Sequence, residues 1–172
     1  MSKLLVVGIL ACLSATIISI ISTAIPYWEY LHGSFLGQEG TLNIGLWRTC
    51  IKYKTSIVSG SACSDTQNDE DWWKAVQSLM ILGNVFLALS TLLGCLYYKN
   101  STQSFIQGTV FTALLGGVVL ITAVIVFGVE EKEHKSSFSA SFILAIVSGV
   151  LAFIAGGLVG ISKRGHPGYS SI

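Results

Sequence analysis

Charge-free stretches occupy residues 4–28, 75–98, 100–129 and 136–162, separated by polar segments. The hydrocarbon core of a bilayer is roughly 30 Å thick, so a spanning helix needs about 20 mostly apolar residues. Each stretch meets that length. The pattern predicts helices over about 4–25, 73–98, 105–129 and 138–161, hence an α-helical membrane protein built as a four-transmembrane-helix bundle. Ser22-Thr23-Ala24 resembles a signal-peptide cleavage site. The apolar run before it is longer than the usual signal-peptide h-region, so the first stretch is read as a retained helix.

Lipid tails give helices no hydrophobic reason to associate, so small residues that permit close backbone approach are informative. They recur at four-residue spacing: Ala11, Ala15, Ser19 and Thr23 in the first helix, Ser90 and Gly94 in the second, Thr112 and Gly116 in the third. The fourth carries Ser148, Ala152, Gly156 and Gly160, read as a packing face within the bundle rather than a dimer seam. Gln77 and Asn84 are polar groups at membrane depth and are expected to bond neighbouring helices.

The connections are unequal. Residues 99–104 form a tight turn and residues 130–137 a short loop, whereas 26–72 is a long one. A loop of that length is usually functional or folded in its own right. Tyr27, Trp28, Tyr30 and Leu31 suit a strand, and Gly33, Gly37 and Gly40 mark a turn region. Leu42, Ile44 and Leu46 alternate on one parity, and Ile51, Tyr53 and Ile57 on the other, which predicts a bend near Gly45 between strands. The loop 26–72 is therefore expected to form a small antiparallel β-sheet on the helices. With a tail over about 162–172, the whole chain, 1–172, reads as one domain.

Composition agrees: 52% of residues are hydrophobic and 11% charged, too apolar for an ordinary soluble domain. The net charge of +1 says little about partners, but its distribution is informative. All nine Asp and Glu residues fall in the first and third gaps, which four crossings place on one side. The opposite side carries Lys3, Lys99, Lys163 and Arg164 and no acid. Short cytoplasmic segments favour Lys and Arg. The termini are therefore expected in the cytoplasm of a plasma-membrane protein, with both larger loops outside, although six of the ten basic residues lie in those outer loops.

Cys50 and Cys63 are the loop cysteines. On an oxidising side they are expected to pair. The bridge would enclose 12 residues and stabilise by about 3 kcal/mol on the chain-entropy model. Cys12 and Cys95 sit within helices and read as small buried hydrophobes; Cys95, near the inner face, is also a candidate for palmitoylation. Converging acids, bases or nucleophiles are not evident. His32, His134 and His166 fall on different segments, and Glu130 with His134 reads as a solvated face. No catalytic set, cofactor, metal or nucleic-acid partner is expected. Asn100-Ser101-Thr102 is a formal glycosylation sequon placed in the cytosol by this topology. Ser170-Ser171-Ile172 fits the carboxyl-terminal pattern read by PDZ scaffolds, which add such a peptide to a sheet edge.

Trp28, then Gly45-Leu46-Trp47, then Cys50 and Cys63, resemble the W…GLW…C…C signature of the claudin, peripheral myelin protein and epithelial membrane protein superfamily. Residues 72–82 resemble the start of its second helix. Gln77 stands where claudins typically carry Arg and the peripheral myelin and epithelial membrane branch Gln; the short second loop and tail, and Phe142-Ile143-Leu144-Ala145, lean the same way. The Cys50–Cys63 spacing is longer than usual in claudins, which leaves the branch open. The resemblance implies a left-handed four-helix bundle topped by a small sheet, with the disulfide stapling two strands. Trp28 and Trp47, as amphipathic aromatics, suit the membrane interface, with Leu46-Trp47 as a wedge against bilayer or bundle.

Two roles follow from the resemblance. One is a junction or adhesion protein whose sheet meets its own kind in the same or a facing membrane. The other is an auxiliary subunit of a channel or receptor. Claudins often use charge just after the first loop cysteine to select ions; Ile51 stands there, followed by Lys52 and Lys54, so any bias would favour anions.

Overall fold

A computed structural model describes residues 3–35, 38–54, 59–100, 102–130 and 137–164. Four helices, α1 (Lys3–Ala24), α2 (Asp71–Asn100), α3 (Gln103–Glu130) and α4 (Ala140–Arg164), are joined to five strands. The strands are β1 (Glu29–Phe35), β2 (Gln38–Ile44), β3 (Arg48–Lys54), β4 (Ser59–Asp65) and β5 (Ser137–Phe138). All four helices are long and apolar enough to cross a membrane. Large apolar side chains such as Leu10, Ile17, Phe111, Val118, Ile125 and Ile154 are exposed around the bundle. A helix that is hydrophobic all round belongs in lipid.

The helices form a ring in which α1 packs on α2 and α4, and α3 on α2 and α4. Their buried positions follow one rule. In α1 they include Leu5, Gly8, Cys12, Ala15, Ser19 and Ser22; in α2, Trp73, Val76, Met80, Gly83, Leu87, Ser90 and Gly94. In α3 they include Ile106, Thr109, Ala113, Gly116, Leu120, Ala123 and Phe127. In α4 they include Ser141, Ala145, Ser148, Ala152, Ala155, Val159 and Ser162, with Gly149 and Gly156 buried beside them. Steps of three and four alternate throughout, a 3.5-residue period that keeps a seam facing its partner under a left-handed supercoil.

The four-residue stripes lie largely inside the bundle: Ala15, Ser19, Thr23, Ser90, Gly94, Thr112, Gly116, Ser148, Ala152 and Gly156 are buried, and only Ala11 and Gly160, at the ends of their rows, are half-buried. Each step of four advances about 400° around a helix, so a strict four-residue row drifts off its face. Ser148 and Ala152 are fully buried. Gly156 is buried too, against α3, where an added Cβ would lie 3.2 Å from Leu114. By Gly160 the nearest atom, on Val110, is 3.9 Å away. On α1, Gly8 sits tight against α4, where an added Cβ would meet Val159 at 2.7 Å.

Hydroxyl and amide groups cross-link α1 and α2. Thr16 and Thr91 are 3.1 Å apart, and the Asn84 amide donates to Thr23 Oγ1 at 2.9 Å. Cys12 is buried against Ser90, whereas Cys95 is exposed rather than buried. The helix bears that side chain outward because position 95 lies beside, not on, the seam through Gly94.

The sheet is antiparallel in the order β4-β3-β2-β1-β5. Gly33 pairs with Gly40, Leu42 with Ile51 and Cys50 with Cys63, with the chain reversing around Gly45 between β2 and β3. One boundary differs from the sequence reading. Ser137 and Phe138 are strand, pairing with Tyr30 and Glu29, and α4 begins at Ala140. The loop 26–72 therefore does not build the sheet alone; the short connection between α3 and α4 contributes an edge. Phe138 stacks on Phe142 at 4.3 Å, and periodicity alone does not distinguish so short an apolar strand from a helix start.

Candidate functional site

The residues that matter gather where the sheet meets the bundle. Gly45 explains itself by space. A Cβ there would stand 2.3 Å from Pro26 Cα and 3.0 Å from Arg48 O. Backbone cannot yield to it, so the turn admits only glycine. The Gly45 N–H donates to Arg48 O at 2.9 Å and closes the turn.

A buried turn must have its carbonyls satisfied. Gly45 O accepts from Thr66 Oγ1 at 2.9 Å, and Trp47 O from Thr66 N at 3.0 Å. Leu46 O accepts from Gln77 Nε2 at 2.6 Å and Trp73 Nε1 at 3.3 Å. Gln77 thus bonds the turn, not a neighbouring helix as its position at membrane depth suggested. The first turns of α2 reach above the charge-free stretch, to where the turn sits. Thr66 had no signal in the sequence, lying in a polar connection with no distinguishing pattern.

The three signature side chains divide. Leu46 is fully buried in a cluster with Trp28, Trp73 and Phe127. Trp28 is also fully buried, correcting its assignment to the membrane interface. Its Nε1–H donates to Ser22 O at 2.8 Å, and its ring meets Phe127 edge-on at 5.0 Å and Phe142 at 6.3 Å. Its backbone bonds Ile44 O on one side and Ser139 N on the other. Trp28 therefore ties α1, β2 and the start of α4 together. Trp47 points outward and is 40% exposed. Of the proposed wedge, only Leu46 enters the bundle.

Cys50 and Cys63 form a disulfide with a Cα separation of 4.1 Å between directly paired residues of β3 and β4. Beyond it Ile51 is half exposed and Tyr53 is 44% exposed. By register they share one sheet face with Leu31, Leu42 and Ala62. Lys52 points from the other face, its ammonium 6.0 Å from the Tyr27 ring centroid. A cavity of about 400 Å³ lies between the first face and the start of α2, lined in part by Glu29, Ile44, Thr49, Thr66, Glu70 and Trp72.

Gly37, Ile57, Ser101 of the sequon, His134, His166 and the terminal Ser170, Ser171 and Ile172 lie outside the described residues, as do the side chains of Lys54, Lys163 and Arg164. Among the described residues, no group of three His, Cys, Asp or Glu is placed to hold a metal ion.

Four membrane-length helices capped by a disulfide-stapled sheet, with a tryptophan plug between them, define a tetraspan membrane protein. The PMP-22/EMP/MP20/Claudin family profile matches residues 2–159, and the chain belongs to that family. No curated protein matches it significantly.

Proposed function

We propose that the protein organises cell–cell contacts, with the sheet outside the cell and the termini in the cytoplasm of the plasma membrane. The observation that carries this reading is the apolar sheet face. Ile51 and Tyr53 are half exposed on the face that register also gives to Leu31 and Leu42. A contiguous exposed apolar patch marks an interaction surface. Self-association in the same or a facing membrane is the use that family membership supports. The role is structural and non-enzymatic.

The orientation rests on the confinement of all nine acids to two alternate gaps. Epitope tags within 33–40 and after Ile172 test it in unpermeabilised cells; a reactive tail with a hidden loop reverses it. The contact role is tested by expression in cells that lack junction proteins. Wild-type protein is expected to concentrate where two expressing cells touch, and Ile51→Asp to reach the surface without concentrating there. Uniform distribution of the wild type together with co-purification of a channel would move the reading to an auxiliary subunit. The Ser170-Ser171-Ile172 terminus is proposed to dock PDZ scaffolds. A Gly165–Ile172 peptide is expected to bind a PDZ panel and lose binding with Ile172→Asp; equal binding by both removes that proposal.

A further inference from the structure

We propose that the bundle holds a buried water molecule at the seam between α1 and α2, bound by Asn84 Oδ1 and Ser19 Oγ. Among the described residues these are the side-chain atoms that are shut off from solvent and have no hydrogen-bond partner within the protein. A buried polar atom left unpaired is destabilising, and folded proteins nearly always supply a partner, from the chain or from ordered water. At membrane depth bulk water is not there to take that place.

Both atoms belong to one seam. Thr23 meets Asn84 and Thr16 meets Thr91, so Ser19, which is fully buried, lies between these two cross-links. The Asn84 Nδ2–H donates to Thr23 Oγ1 at 2.9 Å, and the Thr23 hydroxyl donates to Ser19 O at 2.8 Å. The carboxamide is therefore held two hydrogen bonds from Ser19. Turning the amide over does not satisfy it. Thr23 has one hydroxyl proton; giving it to Oδ1 would leave Nδ2 unpaired instead. Thr16 and Thr23 return their protons to the carbonyls four residues back, whereas the Ser19 hydroxyl makes no such bond and keeps its proton for a partner across the seam.

Water matches this pair: it accepts from the Ser19 hydroxyl and donates to Asn84 Oδ1. A buried water needs only roughly 10–15 Å³ and two to four polar partners. The seam has the slack for it, because α1 and α2 touch less than any other pair of neighbouring helices. A cation fits poorly. Residues 4–28 and 75–98 carry no charged side chain, so its charge would stand uncompensated in the membrane. The water would join α1 to α2 and continue the ladder of Cys12–Ser90, Thr16–Thr91 and Thr23–Asn84 contacts.

The experiment crystallises the full chain from a lipid mesophase at a resolution that shows ordered water. A peak is expected about 2.7–3.2 Å from both Asn84 Oδ1 and Ser19 Oγ. Asn84→Leu, close in volume but without the acceptor, should keep the bundle and lose the peak. In solution, oxygen-17 magnetic relaxation dispersion of the protein in nanodiscs counts long-lived internal waters. Wild type should hold one more than Asn84→Leu, and Ser14→Ala, on the exposed side of α1, should match wild type. Ser19→Ala should speed exchange of that water about three- to tenfold, the effect of losing one of its hydrogen bonds. If Asn84→Leu fails to fold, this milder variant decides. Ser19 Oγ bonded to Ala15 O with no peak at Asn84, a peak touching only one of the two atoms, unchanged exchange in Ser19→Ala, or equal counts in wild type and Asn84→Leu would overturn the proposal. So would a peak closer than about 2.6 Å to four or more oxygens, which would identify a cation.

Discussion

Substituting Trp28 by alanine removes the plug between sheet and bundle. Trp28 is fully buried and packs on Phe127 and Phe142. Truncating a buried Trp to Ala costs about 3–5 kcal/mol. Each lost aromatic pair is worth about 0.5–1.5 kcal/mol beyond area, and the Ser22 carbonyl loses its donor. A loss of about 4 kcal/mol or more is therefore expected. At roughly 2–4 °C per kcal/mol for a chain of this size, the thermal midpoint should fall by about 8–16 °C. Trp28→Phe retains most of the ring packing but leaves that carbonyl unpaired, and should fall between wild type and Trp28→Ala. Trp47→Ala is the control: its side chain is 40% exposed, and the loss should stay near 1 kcal/mol. Thermal unfolding in detergent, with surface delivery measured in cells, reads all three. Equal effects of Trp28→Ala and Trp47→Ala would refute the argument, because they would place both rings in equivalent interfacial settings.

Four further outcomes follow from the geometry. Cys50→Ser or Cys63→Ser should cost about 2–5 kcal/mol and retain the protein inside the cell, with non-reducing peptide mapping confirming the pair in wild type. Gly45→Ala should fail to reach the surface, since its Cβ would stand 2.3 Å from Pro26 Cα; normal delivery would show that the turn relaxes. Gln77→Leu should lose about 1–2 kcal/mol by removing a donor from Leu46 O, detectable as a lowered thermal midpoint. Gly8→Leu should disrupt the α1–α4 contact while Gly160→Ala is tolerated, as judged by thermal unfolding; the reverse ranking would contradict the packing described.

The helices were legible because hydrophobic length is a direct physical requirement of crossing lipid. Their ends were less so. α2 continues to Asp71 and Asn100, past the apolar run, because its first turns serve the sheet. The residues that crowd the helices together, Gly8 and Ala155 among them, follow a 3.5-residue period that four-residue counting blurs. Cys50 and Cys63 could be paired as the two loop cysteines. Trp28 was found as a signature residue yet placed wrongly. An indole suits either an interface or a buried site with one acceptor, and only the fold supplies the acceptor, Ser22 O. Gln77 shows the same limit: an amide at membrane depth must bond something, but sequence does not say what. The cavity gave no signal at all, because Glu29, Thr49 and Glu70 are brought together only by strand register and the entry of α2.

The two-residue strand β5 changes how the molecule carries tension. A sheet built from the first long connection alone would be anchored covalently through α1 and α2. By pairing Ser137 and Phe138 with β1, the fold adds a mount through α3 and α4, and the Ser139 N–H bond to Trp28 O fastens it beside the plug. A pull on the sheet is then shared among all four membrane anchors.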